Sequence, residues 1–276
     1  MKLFSLSLFI GCSTQTADVI DDPVTSNEIV EETPVEEPIT EVDSCISSED
    51  AVGVRFEGVI EYPDGSVGDG SNTRIHMCNN GCTMASWGEN GFCYPEGTLS
   101  PGIYSFKVVP FGHDNHATPL GFVTIEEENV VLEQPVMVPE FESTSDVVDG
   151  VFDAGNGLEI DVVADGFTPY MGGDDFISAV PVDPKEIGLP INGLNPDNIV
   201  GMWYLGSFDA DVYPSWSFQV KNLDLPVGST VKILNSSYTD RKWLDVGSAT
   251  VGEDGILYSD ADSGIEILSS ILLLKE

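Results

Sequence analysis

The stretch "GTLSPGIYSFKVVPF", residues 97–111, decides the fold class. Pro101 presets its backbone angle and Gly102 turns freely, so the dipeptide marks a turn. Ile103, Tyr104, Phe106, Val108 and Val109 follow as a strand rich in aromatic and β-branched residues. The same rhythm runs outward in both directions. "VRFEGVIEY" alternates apolar and polar positions, "PDGSVGDGSN" is a Gly/Asp turn cluster, and "TRIHM" is a short strand. "LGFVTI" and "NVVLEQPVMV" follow the opening stretch. No segment keeps an apolar period of 3.6 residues, so helices are not expected. Short strands divided by turn signals predict an all-β sandwich over residues 51–141.

The rhythm pauses at 142–156, "ESTSDVVDGVFDAGN", a polar and acidic stretch read as a linker. It resumes over 157–276. "GLEIDVVA" alternates, "IVGMWYLGSF" is an apolar run, and "WSFQVKNLDLPVGSTVKILNSS" holds two strands around Leu225-Pro226-Val227-Gly228. Asp254-Gly255 signals a hairpin. "GIEILSSILLL" closes the chain as a strand, too short to span a bilayer. The expected architecture is two antiparallel β-sandwich domains, 51–141 and 157–276.

Both halves carry wording of known modules. Gly58-Val59, Asp64-Gly65, Gly91-Phe92 and Leu99-Ser100-Pro101-Gly102-Ile103-Tyr104 stand where the carboxypeptidase regulatory-like domain has G-x-V, D-G, Gly-Phe and L-x-P-G-x-Y. Residues 51–141 thus resemble that family. The resemblance implies a transthyretin-like, seven-stranded sandwich that is generally a non-catalytic accessory. The "CNNGCTMASWGENGFC" insert departs from its outline and is read as a disulfide-pinned loop. The second half is similar to a β-sandwich module of secreted and surface lipoproteins. Pro214, Asn222, Leu225-Pro226, Gly228, Val231, Trp243, Val246-Gly247, Ala249, Val251, Asp254-Gly255 and Ser263-Gly264-Ile265 carry that likeness. It implies place and fold rather than an activity.

The first residues bear on address. Met1-Lys2 is a minimal basic start, and Leu3 to Ile10 is apolar but too short to span a bilayer. "FIGC" resembles a bacterial lipobox, with Phe9 where that motif prefers Leu. The resemblance implies a lipoprotein signal peptide at 1–11, lipidation of Cys12, and an acyl anchor in the membrane. Ser13, rather than Asp, implies the outer membrane of a Gram-negative envelope. Residues 13–50 then hold 12 acidic side chains and no Lys or Arg, with Pro23, Pro34 and Pro38 interspersed. Low hydrophobicity with high charge predicts a disordered acidic linker over 12–50.

Removing Cys12 leaves Cys45, Cys78, Cys82 and Cys93, an even number that reads as two disulfides in an exported chain. Three pairings are possible. The expectation is one bridge tying Cys45 onto the first domain and one within 78–93. A four-cysteine zinc site is the rival, but Cys45 and Cys93 lack the paired spacing it needs.

The charge excludes some partners. The chain has 47 acidic and 10 basic residues, a formal charge of -37. Nucleic acid and anionic membrane surfaces would be repelled. Envelope proteins and glycans remain. Trp87, Trp203, Trp216 and Trp243 are the candidates for a glycan-stacking platform. Asp260 and Asp262, in "SDADSG", are candidates for structural calcium, as are Asp64 and Asp69. His113, Asp114 and His116 are a candidate zinc set in a polar turn. The sequon Asn235-Ser236-Ser237 is read as without consequence in a bacterium. No nucleophile elbow, His-Glu-x-x-His, phosphate loop or dinucleotide fingerprint occurs. The expected function is therefore a non-catalytic, membrane-anchored envelope lipoprotein with a structural or binding role and no cofactor. A glycan-binding or adhesin-type receptor is the first alternative, and an enzyme of unrecognised type the second.

Overall fold

The computed structural model describes residues 45, 52–111, 115–170 and 175–275. Cys12, the signal peptide, the linker apart from Cys45, and His113 and Asp114 lie outside these residues. Among the described residues the regular structure is β-strand, with isolated 3-10 turns.

The opening stretch forms the nine-residue strand Gly102–Pro110, paired antiparallel with Thr73–Cys78 on one side and Leu120–Ile125 on the other. With Cys82–Met84 they make a four-stranded sheet. A second sheet runs Ser86–Gly88, Gly91–Leu99, Val54–Gly58, Val130–Val131. Alternating residues of both sheets face one core. Phe56, Phe92 and Phe106 meet there with ring centroids 5.8 to 5.9 Å apart. The turn before Gly102–Pro110 is locked by Tyr104. Its hydroxyl donates to the Ser100 carbonyl at 3.0 Å and accepts from the Ser100 amide at 3.2 Å. That contact gives a physical reason for a tyrosine two residues after Pro-Gly.

The later residues form a ten-stranded sheet. Its order is Ser143–Asp146, Phe176–Pro181, Ile199–Gly206, Ser270–Lys275, Thr230–Ser237, Lys242–Val251, Leu257–Ser259, Phe218–Val220, Leu158–Val162, Gly150–Asp153. The two edge strands are consecutive in the chain and only residues 147–149 join them. Such a link reaches no more than about 15 Å. The sheet must therefore roll on itself. All its strands except Ser143–Asp146 send buried residues into one enclosed core, among them Trp203, Phe218, Ile233 and Leu257. A three-stranded sheet, Phe167–Thr168, Ala210–Trp216 and Ile265–Leu268, adds Val212, Trp216 and Leu268 to that core.

Two features differ from the expected plan. Residues 142–156 are not a linker, because they carry both edge strands of the rolled sheet. Edge strands are short and polar, since their outer side faces water, and such a composition reads as a linker. The halves also share a core. Val180, Met202, Tyr204, Leu234 and Leu272, on the outer face of the rolled sheet, pack with Ile187, Leu189 and the aromatic core of the first sheets. Strands Ile199–Gly206 and Ser270–Lys275 are thus covered on both faces, which is why they read as unbroken apolar runs. The described residues fall in one compact unit.

Candidate functional site

The shared face of the two cores ends in a cluster built from four distant segments. Its first wall is the hairpin of Thr73–Cys78 and Cys82–Met84, closed by Asn79, Asn80 and Gly81. Cys78 and Cys82 stand directly opposite each other and are bridged. The other bridge joins Cys45 to Cys93 and closes a separation of 48 residues. On the chain-entropy account the long loop contributes about 4 kcal/mol and the short hairpin loop about 2 kcal/mol.

The second wall is the turn after Thr230–Ser237. The Asp240 amide donates to Ser237 Oγ at 3.0 Å, which tightens the turn and presents Tyr238. The Tyr238 hydroxyl lies 3.1 Å from both Cys78 Sγ and Cys82 Sγ. Arg241 donates to the Asn79 carbonyl, and Ser105 Oγ donates to the Tyr238 carbonyl at 3.2 Å. These bonds tie the disulfide hairpin to the rolled sheet.

Between the walls sits Lys107, in register with His76 on the neighbouring strand. Its ammonium lies 4.3 Å from the Tyr238 ring centroid and 5.1 Å from that of Phe208. Desolvation makes such cation–π contacts stronger than they are in water. Burial lowers the Lys107 pKa, and nearby Asp209 opposes that fall. Asp209 is itself only 7% exposed. Burial pushes its carboxyl up to about 6, against the pull of a backbone hydrogen bond and of Lys107. His76 is shifted down by burial and by the charges of Lys107 and Arg74. The cluster therefore holds a desolvated cation, a carboxyl that titrates near pH 6 and a pair of sulfurs, one of them on exposed Cys82.

Two cavities flank the first core. One of about 350 Å³ adjoins the Cys45–Cys93 bridge, with Arg55, Glu57, Asn90 and Leu132 in its lining. One of about 220 Å³ is lined by His116, Thr118, Phe141, Phe176 and Phe208.

The other residues singled out by sequence fall elsewhere. Asp260 Oδ2 accepts from Ser248 Oγ at 2.5 Å, and Asp262 occupies a left-handed turn position with φ 60°. Asp64 caps its own turn through the Ser66 amide at 2.9 Å, and Asp69 does so through the Ser71 amide at 2.7 Å. The Ser71 hydroxyl bond holds the Asp69 carboxyl below its usual range. Among the described residues, one set of three metal-ligating side chains has its donor atoms within 4.8 Å of one another, and it is His76, Cys78 and Cys82. The carboxylates of Asp260 and Asp262 do not form such a set. His116 packs its ring edge-on against Tyr62 at 5.4 Å and lies 3.7 Å from Glu140.

The tryptophans do not form a solvent-facing row. Trp203 and Trp216 are fully buried, with their indole N–H groups donating to Gly155 and Val163 carbonyls at 3.1 Å. Trp87 and Trp243 are half-buried against the first core. Sequence reasoning missed Lys107, Phe208, Asp209 and Tyr238 as a group, because only the packing of the two halves brings them together. The one local signal was Lys107 itself, a lone base inside the apolar strand "YSFKVVPF".

Comparison of the chain with known protein families, characterised proteins and solved structures finds no match.

Proposed function

We propose that this chain is an exported, lipid-anchored envelope protein, held through Cys12, whose role is structural or protein-binding and without catalysis of its own. The observation that carries the reading is the pairing of all four cysteines after Cys12. Disulfides form and persist in exported proteins and are rare where thiols are kept reduced. An apolar start ending in Gly11-Cys12, followed by an acidic stretch free of Lys and Arg, suits an anchor and a spacer. The reading of residues 51–141 as a carboxypeptidase regulatory-like module draws support from two sheets facing one core and from the Tyr104 lock on its Pro-Gly turn; the sheets hold eight strands where the family has seven, and the short strands Cys82–Met84 and Ser86–Gly88 fall in the insert. The glycan-receptor alternative loses its main support, since two of the four tryptophans are core residues.

The test is the intact mass of the full chain, extracted from the membranes of a Gram-negative host, with and without reductant. The expected mass is that of a chain cut before Cys12 and carrying acyl groups, with a gain of four hydrogens on reduction of its two bridges. An unmodified chain starting at Met1 with five free thiols would overturn the proposal.

A further inference from the structure

We propose that reduction of the Cys78–Cys82 bridge converts the hairpin into a binding site for one thiophilic closed-shell cation, Zn²⁺ or Cu⁺, held by His76, Cys78 and Cys82. The inference is independent of the lipid anchor. His76 and Cys78 are two residues apart on one strand, so their side chains share a face of the sheet. Cys82 is the cross-strand partner of Cys78 and joins them on that face. The three donor atoms already lie within 4.8 Å of one another. Neighbouring donors around tetrahedral zinc are about 3.5–3.8 Å apart, given its bond lengths to sulfur and nitrogen. In the bridge the two sulfurs are joined by their own bond; what the strand pairing supplies is the directly opposed register of Cys78 and Cys82, with the His76 nitrogen on the same face.

The surroundings fit the same use. Two thiolates and an imidazole are a soft donor set that suits zinc and Cu⁺ over calcium or magnesium. The Tyr238 hydroxyl, 3.1 Å from both sulfurs, is placed to donate to a bound thiolate. Cys82 is exposed, so the site opens to solvent on one side and leaves room for a fourth ligand. Lys107, the cross-strand partner of His76, is a neighbouring base that in its protonated form offsets part of the two thiolate charges. The bridge in the structure and the metal compete for the same sulfurs. A dithiol reductant delivers two electrons and two protons, becomes a disulfide itself, and leaves two thiols. Metal binding then releases both protons to solvent.

The test uses the full chain, reduced with a dithiol under anaerobic conditions, freed of reductant, and titrated with Co²⁺ as a spectroscopic probe. The expected result is one Co²⁺ per chain with sulfur charge-transfer and tetrahedral visible bands, and full displacement by one equivalent of Zn²⁺ or Cu⁺. A competition between those two ions then identifies the preferred one. The Cys78→Ser/Cys82→Ser chain should lose the bands. His76→Ala should weaken binding at least tenfold, and Cys45→Ser/Cys93→Ser should retain it. Absence of the bands at micromolar Co²⁺ overturns the proposal, as does their persistence in Cys78→Ser/Cys82→Ser. Loss of the folded circular-dichroism signal on reduction in both the wild type and Cys45→Ser/Cys93→Ser also overturns it, because the folded hairpin is what gathers the donors.

Discussion

Asn235 is fully buried and uses its whole amide. Its Nδ2 donates to the Ile267 carbonyl at 2.9 Å and the Ser270 carbonyl at 3.1 Å, while Oδ1 accepts from the Glu266 and Ile267 amides at 3.1 and 3.0 Å. Ile267 belongs to the three-stranded sheet, so one side chain latches that sheet to the rolled one. The sequon around it is therefore a structural element, with its amide nitrogen closed off in the folded chain. Truncation to Ala removes a partner from the part-buried Glu266 and Ile267 amides and from the buried Ser270 carbonyl, each loss costing about 1–3 kcal/mol. Asn235→Ala should lower unfolding free energy by at least about 3 kcal/mol, read by urea denaturation.

Asp209 works in the opposite sense. Its carboxyl sits at about 6 in the folded chain against an ordinary 3.8, because burial penalises the charge. The folded state thus binds its proton more tightly than the unfolded state. This contribution to stability is fully present below about pH 4, is lost as pH rises to about 6, and stays lost above that. The difference corresponds to roughly 3 kcal/mol, reduced in a variant because Lys107 gives up a neighbouring carboxylate. Asp209→Asn keeps a residue that tolerates the left-handed backbone at φ 58°. It should raise stability by about 1–2 kcal/mol at pH 7–8, with the gain shrinking between pH 6 and pH 4. Denaturant midpoints across that range test this, and an equal effect at every pH would sink the assignment.

At the scale of elements, the strands were legible wherever apolar and polar residues alternate. Gly102–Pro110 does so, because the face turned from the first core carries Ser105 and Lys107 into the polar junction, and its Pro-Gly turn and Tyr104 are local. The Asp254-Gly255 turn does connect Lys242–Val251 to Leu257–Ser259, as its dipeptide indicates. Legibility failed where burial or function is set by distant partners. Ile199–Gly206 and Ser270–Lys275 lost their alternation to a second buried face. Edge strands Ser143–Asp146 and Gly150–Asp153 look like a linker because Phe152 is the one fully inward residue between them. The junction cluster escaped because His76, Lys107, Asp209 and Tyr238 share no spacing. The segment that seals the junction was also hidden. Residues 187–191 lie along Leu120–Ile125, where the Phe122 amide donates to the Pro190 carbonyl at 2.9 Å. Gly121 permits that approach. An added Cβ would fall within contact of the Pro190 carbonyl oxygen and 2.8 Å from Leu189 Cγ. Gly121→Ala must therefore push the segment off and should cost about 2–3 kcal/mol. Gly81→Ala, in the open hairpin turn with nothing within 4 Å, should stay within about 0.5 kcal/mol. Chemical denaturation of the pair separates crowding from a general effect of losing a glycine.

For the whole molecule the dominant quantity is charge, 47 acidic side chains against 10 basic ones. Several of the bases are already committed. Arg55 pairs with Glu57 and Lys185 with Asp197 at 2.6 Å, Lys232 pairs with Asp245 at 3.1 Å, and Lys107 lies on its aromatic rings. The exposed pairs of Lys185 and Lys232 are worth about 0.2–1 kcal/mol each, so they leave most of the self-repulsion standing. Repulsion between exposed carboxylates is screened as the Debye length falls from about 30 Å at 0.01 M salt to about 3 Å at 1 M. Raising NaCl from about 0.02 M to 0.5 M should therefore raise Tm by several degrees, since about 2 kcal/mol corresponds to about 4–8 °C in a domain of this size. The same melt tests calcium. Asp64, Asp69 and Asp260 already accept hydrogen bonds at 2.5 to 2.9 Å, and the described carboxylates form no close set of three. Screening depends on ionic charge and concentration, so calcium and magnesium at equal millimolar levels should raise Tm equally. A calcium increment more than about 2 °C above that of magnesium would instead mean a specific oxygen-ligand site. Asp260→Asn and Asp262→Asn would then show whether that turn holds it.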